Sequence, residues 1–416
     1  MKKIIASIIK AYPIFLIRNY RLYFFGLMIS LVGTWMQTIV LGWQVQILTG
    51  SIYWVGVIMA LPYIISIGLV LPAGALADHF DKRKTFVLTQ SLGMVQAFAL
   101  AISTIIGFMP LWWILSLTVF LGIVTSLEMP IRQSFFTDLL EEKDIPAAAS
   151  LNTTITTTSM ILGPGLGGWL IAIVGFGGTY ILNGLSFMAV VITLAMMKIN
   201  PIEKRKQSIR EMFREGIWYT VGDSKIFLSI ILGGVAIMFG FSYRSIMPAM
   251  TKDIFHSGPT AFGLFMSLTG LGAWIGSVFV SARVKKEIPF RSYVMSGMIL
   301  TGSTVAMLSN VSNLAIACVL FFLSGVGMTL TVSTSRAEIM SLAVKEMRGR
   351  VTSITMLIFL AGMGAGNYLA ALVAEKVSIF FALLSSGFGL LAMAVIFFFL
   401  LGRFYGFDPR VEKIII

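Results

Sequence analysis

Four long stretches of the chain, residues 22–77, 85–127, 145–197 and 292–335, contain no Asp, Glu, Lys or Arg. A helix needs about 20 mostly apolar residues to cross the hydrocarbon core of a bilayer, so each stretch is long enough for two crossings. Each also holds a turn-forming group: Thr49-Gly50-Ser51, Gly107-Phe108-Met109-Pro110, Gly175-Phe176-Gly177-Gly178 and Asn310-Val311-Ser312-Asn313. Shorter uncharged intervals at 226–243, 254–282, 351–374 and 377–402 each fit one further crossing. The pattern predicts an all-α integral membrane protein of twelve transmembrane helices, with both termini on the same side. A chain that is 57% hydrophobic and 12% charged, with mean hydropathy +0.91, has lipid as its solvent.

The formal charge of +13 is distributed topologically. Of the 31 basic residues, 28 fall in segments on one side of the predicted spans, the side that becomes cytoplasmic in a membrane protein. Lys252 and Lys376 are expected in loops on the other face, and Arg244 near the end of the seventh span. Both termini are therefore expected in the cytoplasm of a bacterial inner-membrane protein. The basic residues form no continuous face, so nucleic acid is not an expected partner. Lys2, Lys3, Lys10, Arg18 and Arg21 interrupt the N-terminal apolar residues, and no removable signal peptide is expected.

No cofactor is expected. Cys318 is the single cysteine, which leaves no disulfide or cysteine metal site within one chain. The two histidines, His79 and His256, fall on opposite predicted faces, and the chain lacks the clustered acids, histidines or nucleophile of a membrane enzyme. No G-x-x-x-x-G-K-[ST] loop is present for ATP. Gly163, Gly165 and Gly168 match G-x-G-x-x-G, but they lie inside an uncharged interval with no room for a strand-turn-helix unit.

The charged stretch 198–225 bisects the chain, and features recur about 204 positions apart: Arg21 and Lys225 open the first and seventh spans, and Arg132 and Arg336 follow the fourth and tenth. The expected organisation is a cytoplasmic N-terminal segment (1–20), a six-helix bundle (21–197), a cytoplasmic linker (198–225), a second six-helix bundle (226–402) and a cytoplasmic tail (403–416).

The loop after the second span reads Gly74-Ala75-Leu76-Ala77-Asp78-His79-Phe80-Asp81-Lys82-Arg83-Lys84, which resembles the signature loop of the major facilitator superfamily. Four further motifs resemble the branch containing enterobactin exporters and macrolide-efflux proteins: Gly33-Thr34-Trp35-Met36-Gln37, Pro130-Ile131-Arg132-Gln133-Ser134-Phe135, Leu182-Asn183-Gly184-Leu185-Ser186-Phe187 and Arg348-Gly349-Arg350-Val351. Gly163-Pro164-Gly165-Leu166-Gly167-Gly168 looks like the superfamily's antiporter motif and leans towards export. The same small residues also suit plain helix packing. The resemblance implies the major facilitator fold, two pseudo-symmetric six-helix bundles that rock about a midplane site.

It also implies where to look for functional residues. Gly74 and Asp78 are gating candidates, Asp78 facing the dipole of an eleventh span that begins near Val351, with Arg83 or Arg350 as ionic help; a solvated topological turn is the alternative. The equivalent loop of the second half, Ser281-Ala282-Arg283-Val284-Lys285-Lys286, lacks the acid. Spans one, four, seven and ten line the cavity in the superfamily. On the first, Thr34, Gln37, Leu41 and Gln44 share one helical stripe, which fits either substrate contact or hydrogen bonding between helices. Glu128 and Arg132, four apart on the fourth span, meet if the helix continues through Pro130, as a proton site or a structural ion pair. Tyr243 and Arg244 could stack on and attract an anionic siderophore, or Arg244 could snorkel to the headgroups. The segment 152–159 and Asn183 and Asn367 are further polar candidates, with packing and capping as their alternative.

The expected function is secondary active export of a small organic molecule, a siderophore-like metabolite or a drug, by proton antiport. Import of an iron chelate or another small solute is the alternative, and a membrane enzyme the different-class alternative. The expected partners are that substrate, protons and membrane lipids, and the chain is expected to be monomeric.

Overall fold

The structure, a computed structural model, describes residues 13–197, 209–283 and 290–405; side chains at 71, 74–79, 209–213, 283, 290 and 401–405 lie outside the described residues. The described chain is helical, with no strand. Thirteen α-helices follow in order: α1 Arg18–Thr49, α2 Ile52–His79, α3 Lys82–Ile105, α4 Leu111–Asp138, α5 Ile145–Ala195, α6 Ile209–Gly222, α7 Ser224–Gly240, α8 Tyr243–Asp253, α9 Pro259–Arg283, α10 Phe290–Leu308, α11 Leu314–Leu342, α12 Arg348–Lys376 and α13 Ile379–Tyr405.

Ten described helical segments are long and apolar enough to cross a membrane. One of them contains α5, whose 51 residues run continuously except at Gly175, where φ is 69° and ψ is −177°. A single span uses about 20 residues, so α5 is two spans joined at the glycine, a conformation that a Cβ would strain. The shorter α10, with polar Ser and Thr among its apolar residues, supplies the twelfth crossing. The described residues thus supply the twelve spans that the uncharged intervals predict.

The expected turns sit where the helices end. Gly50 and Gly107 take positive φ, at 64° and 75°. Asp81 accepts from the backbone N–H of Lys84 at 3.0 Å and caps α3, and Asp223 and Asn313 cap α7 and α11 in the same way. Large apolar residues that face outward, such as Ile105, Trp112, Trp169 and Phe399, match a lipid surround.

Three expectations need correction. The seventh span is not one helix ending near Arg244: it runs Ser224–Ile254 and breaks at Phe241–Ser242 between α7 and α8. Arg132 and Arg336 do not follow the fourth and tenth spans but lie inside α4 and α11, because their charged side chains have buried partners or aromatic contact there. Lys252 and Lys376 sit in the last turns of α8 and α12, where a cation suits the helix dipole. Within 198–225, the expected linker, the described residues form the amphipathic helix α6.

By packing, the chain forms two compact units, one comprising Met1–Val40 with Gly68–Ser208 and the other Leu41–Ile67 with Ile209–Ile416. The second unit therefore takes in the end of α1 and the start of α2, which the 204-residue repeat assigned to the first half. In the first unit, α3 packs on α5 and α4, and Tyr20, Phe24, Phe86 and Phe135 share a buried hydrophobic core with Ile155. In the second, α11 packs on α9 and α10, and α12 packs on α7.

Candidate functional site

In the first unit the helices are held by polar side chains with few alternative partners. Gln37 of α1, 3% exposed, donates through Nε2 to Gln96 Oε1 of α3 at 3.1 Å and accepts from Asn183 Nδ2 of α5 at 2.7 Å. Ser186 donates to Asn183 Oδ1 at 3.0 Å, and Gln96 reaches the Leu117 carbonyl of α4 at 3.4 Å. Gln37 and Asn183, both sequence candidates, thus belong to one interhelical network, which satisfies amides that lipid could not. Thr34 bonds back to the Ser30 carbonyl at 2.9 Å and is half-buried.

Nearer the start of α1 is a charged cluster. Pro130 lies within α4 and the helix continues through it, which brings Arg132 Nη1 to 3.5 Å from Glu128 Oε1. Glu128 is 8% exposed. Gln90 also reaches the carboxylate, and Tyr23 lies within electrostatic range of both charges. Ser30 donates to Gln90 at 3.1 Å, and Asn152 of α5 reaches Tyr23. A carboxylate, a guanidinium, a phenol and amides contributed by α1, α3, α4 and α5 therefore converge on one buried spot, and Asn152 Oδ1 there has no partner.

The antiporter-like motif lies against α1. A Cβ at Gly163 would stand 2.5 Å from Trp35 Cβ and 2.8 Å from the Val32 carbonyl, and one at Gly167 would stand 3.0 Å from the Met36 carbonyl. Pro164 and Gly168 are buried beside them. The gating candidates divide. Gly74 and Asp78 lie in α2, with side chains outside the described residues. Arg83 spreads its fork over the Leu194 and Ala195 carbonyls at the end of α5, both at 2.9 Å. Arg350, in the first turn of α12, pairs with Glu215 of α6 at 2.5 Å; beside it, Val344 N–H donates to Tyr219 Oη of α6 at 3.2 Å.

The second unit holds Gln44, buried at 4%, and the residues around the break in the seventh span. Tyr243 is 2% exposed and its hydroxyl lies 3.1 Å from Ser324 Oγ of α11. The Arg244 guanidinium sits 4.3 Å from the centroid of the Phe241 ring. Ser245 donates to the Asn367 carbonyl of α12 at 2.9 Å.

Two arrangements went unnoticed in the sequence. Glu338, 6% exposed in α11, faces Arg291 of α10 at 3.7 Å; its place in the charged run 336–350 disguised it as a loop residue. Glu375, in the last turns of α12, accepts from Ser51 Oγ at 2.9 Å and from the backbone N–H groups of Ile52 and Tyr53 at 2.8 and 3.3 Å. It caps the N-terminus of α2 from another helix, a contact that no local pattern announces. Gly56 lies against Ala371 on the same pair of helices.

Comparison with known proteins places this arrangement. The chain is 24% identical over 387 residues to a protein described as a staphyloferrin A transporter from Staphylococcus aureus, with 91% of this chain and 95% of the relative covered. It is 22% identical over 340 residues to macrolide efflux protein A of Streptococcus pyogenes, with 78% and 81% covered. A solved structure of a bacterial homologue of the human lysosomal transporter Spinster, inward-facing and occupied, superposes with a TM-score of 0.73 at 13% identity, covering 96% of this chain and 99% of that one. The model of the transmembrane secretion effector family matches residues 11–404, and the chain belongs to that family of major facilitator membrane transporters.

Proposed function

We propose that the protein exports a small organic molecule, a siderophore-like metabolite or a drug, from the cytoplasm by alternating access driven by proton antiport. The observation that carries this reading is the family match over residues 11–404 together with a relative named for macrolide efflux and another named for a siderophore. Residues 21–197 and 226–402 would be the two rocking bundles, with both termini in the cytoplasm of a bacterial plasma membrane and a monomer as the working unit. The one-sided distribution of Lys and Arg supports the orientation. Gly74 and Asp78 would serve the cytoplasmic gate on the strength of the signature loop, and the glycines at 163 and 167 let α5 lie closely on α1.

Glu128 is the proposed proton site. Its carboxylate is buried, sits on the fourth span, and has a loose 3.5 Å pairing with Arg132 that leaves room for exchange between protonated and ionised forms. The test separates coupling from structure. In Glu128→Gln, a coupling role abolishes uphill export driven by a pH gradient and preserves downhill substrate exchange, which needs rocking without net proton movement. A structural role lowers both together, and uphill export at the wild-type rate removes Glu128 as an essential carrier.

A further inference from the structure

The break in the seventh span has a consequence for what the transporter carries. From Ser242 to Thr251 every residue is buried except Arg244. About ten residues, roughly 15 Å of helix, still follow Arg244 before the span ends at Ile254. Arg244 thus lies within the helical span rather than at its last turn. A guanidinium inside a membrane-spanning helix is costly in contact with lipid and is kept where it faces a polar cavity or an anionic partner.

Among the described residues no carboxylate forms an ion pair with Arg244, and its Nε is buried without a hydrogen-bond partner. The guanidinium lies over the Phe241 ring face at 4.3 Å. The neighbouring polar groups offer it no negative charge: Tyr243 is spent on Ser324, Ser242 on the Phe239 carbonyl and Ser386, and Ser245 on the carbonyls of Ser242 and Asn367. The same break starts α8, whose first turn puts the positive end of an 11-residue helix at Tyr243 and Arg244. A second unsatisfied atom lies on the neighbouring helix: Asn367 is 3% exposed, its Nδ2 is used by the Met363 carbonyl, and its Oδ1 has no partner.

We infer that Arg244 is a substrate-binding residue and that the transported molecule is an organic anion bearing carboxylate groups, held by the guanidinium fork with an aromatic face beside it. This inference rests on the transport reading above and names its substrate class. Arg suits this role because its planar donors meet a carboxylate two at a time.

The test compares two dyes of one ring skeleton and opposite charge, carboxyfluorescein and rhodamine 6G, on the purified full-length protein by fluorescence anisotropy. Arg244→Gln is expected to weaken carboxyfluorescein binding at least tenfold, Arg244→Lys to weaken it less, and neither to shift rhodamine 6G more than twofold. Citrate should displace carboxyfluorescein from the wild type where sodium chloride of equal ionic strength does not, a readout that needs no variant to fold. Equal carboxyfluorescein affinity in wild type and a folded Arg244→Gln, absence of saturable binding to the wild type, or failure of citrate to compete would each overturn the inference. Transport into inside-out vesicles separates it from the parent reading. Rhodamine 6G export unaffected by Arg244→Gln, without carboxyfluorescein binding, keeps export and discards the anion site; Arg244-dependent binding with transport of neither dye keeps the site and discards export.

Discussion

Replacing Gln37 by Leu should cost stability before it costs transport. The substitution removes two interhelical hydrogen bonds, to Gln96 at 3.1 Å and from Asn183 at 2.7 Å. Side-chain hydrogen bonds between membrane helices average about 0.6 kcal/mol and reach about 1.7 kcal/mol, so the direct loss is roughly 1–3 kcal/mol. Gln96 keeps the Leu117 carbonyl and Asn183 keeps Ser186, but the Gln96 Oε1 and the Asn183 amide are stranded where exposure is 1% and 0%. An unsatisfied buried group costs about 1–3 kcal/mol unless it relaxes, so with one such group left unrelaxed the expected total is about 2–6 kcal/mol. The assay is reversible unfolding in mixed micelles, run as a double-mutant cycle with Asn183→Leu. The two changes should fall short of additivity by about 0.6–1.7 kcal/mol, the range of the shared bond. Transport per folded molecule should stay near the wild-type rate, because the amides are turned into the protein. Additive effects, or lost transport with unchanged stability, would refute the clamp and restore Gln37 to the substrate path.

Gly163→Val should destabilise the first unit by about 1–3 kcal/mol through overpacking against Trp35 and the Val32 carbonyl; a melting temperature equal to wild type would contradict the close helix approach. Glu375→Ala should cost about 0.5–2 kcal/mol, the range of a lost N-cap, and Glu375→Gln less, since an amide oxygen can still accept from Ile52 or Tyr53; thermal unfolding of the two variants in one detergent checks the order. A cysteine at His256 in a Cys318→Ala background should label with an impermeant thiol reagent in intact spheroplasts, and labelling only after permeabilisation would reverse the topology.

The number of crossings was legible because lipid excludes charge so strongly that uncharged intervals translate into spans. Turns were legible for a related reason: Gly50, Gly107 and Gly175 supply backbone angles that other residues avoid. The same rule misled where charge is tolerated inside. Arg132, Arg336 and Glu338 suggested helix ends, yet α4 and α11 continue past them, because Glu128 meets Arg132, Arg291 meets Glu338, and Arg336 lies over the Phe359 ring at 5.4 Å. The break at Phe241–Ser242 follows Gly240 directly, a local mark that the count of uncharged intervals passed over, whereas Pro130 sits in a helix that does not break. Functional residues were legible by type and span but not by partner: Gln37 stood out as a polar residue in an apolar helix, while Gln96 and Asn183 as its partners required the fold. Glu375 reaching α2 across more than 300 positions is a tertiary fact with no sequence periodicity behind it.

Vectorial transport by the purified protein tests the central claim most directly. Proteoliposomes with an acid interior are exposed to carboxyfluorescein and rhodamine 6G, and the retained dye is released by detergent and read at fixed pH. The account predicts that carboxyfluorescein accumulates above its outside concentration, that nigericin collapses the accumulation, and that Glu128→Gln exchanges dye without concentrating it. Equilibration of both dyes at the rate of protein-free vesicles, or accumulation that survives collapse of the pH gradient, would contradict it.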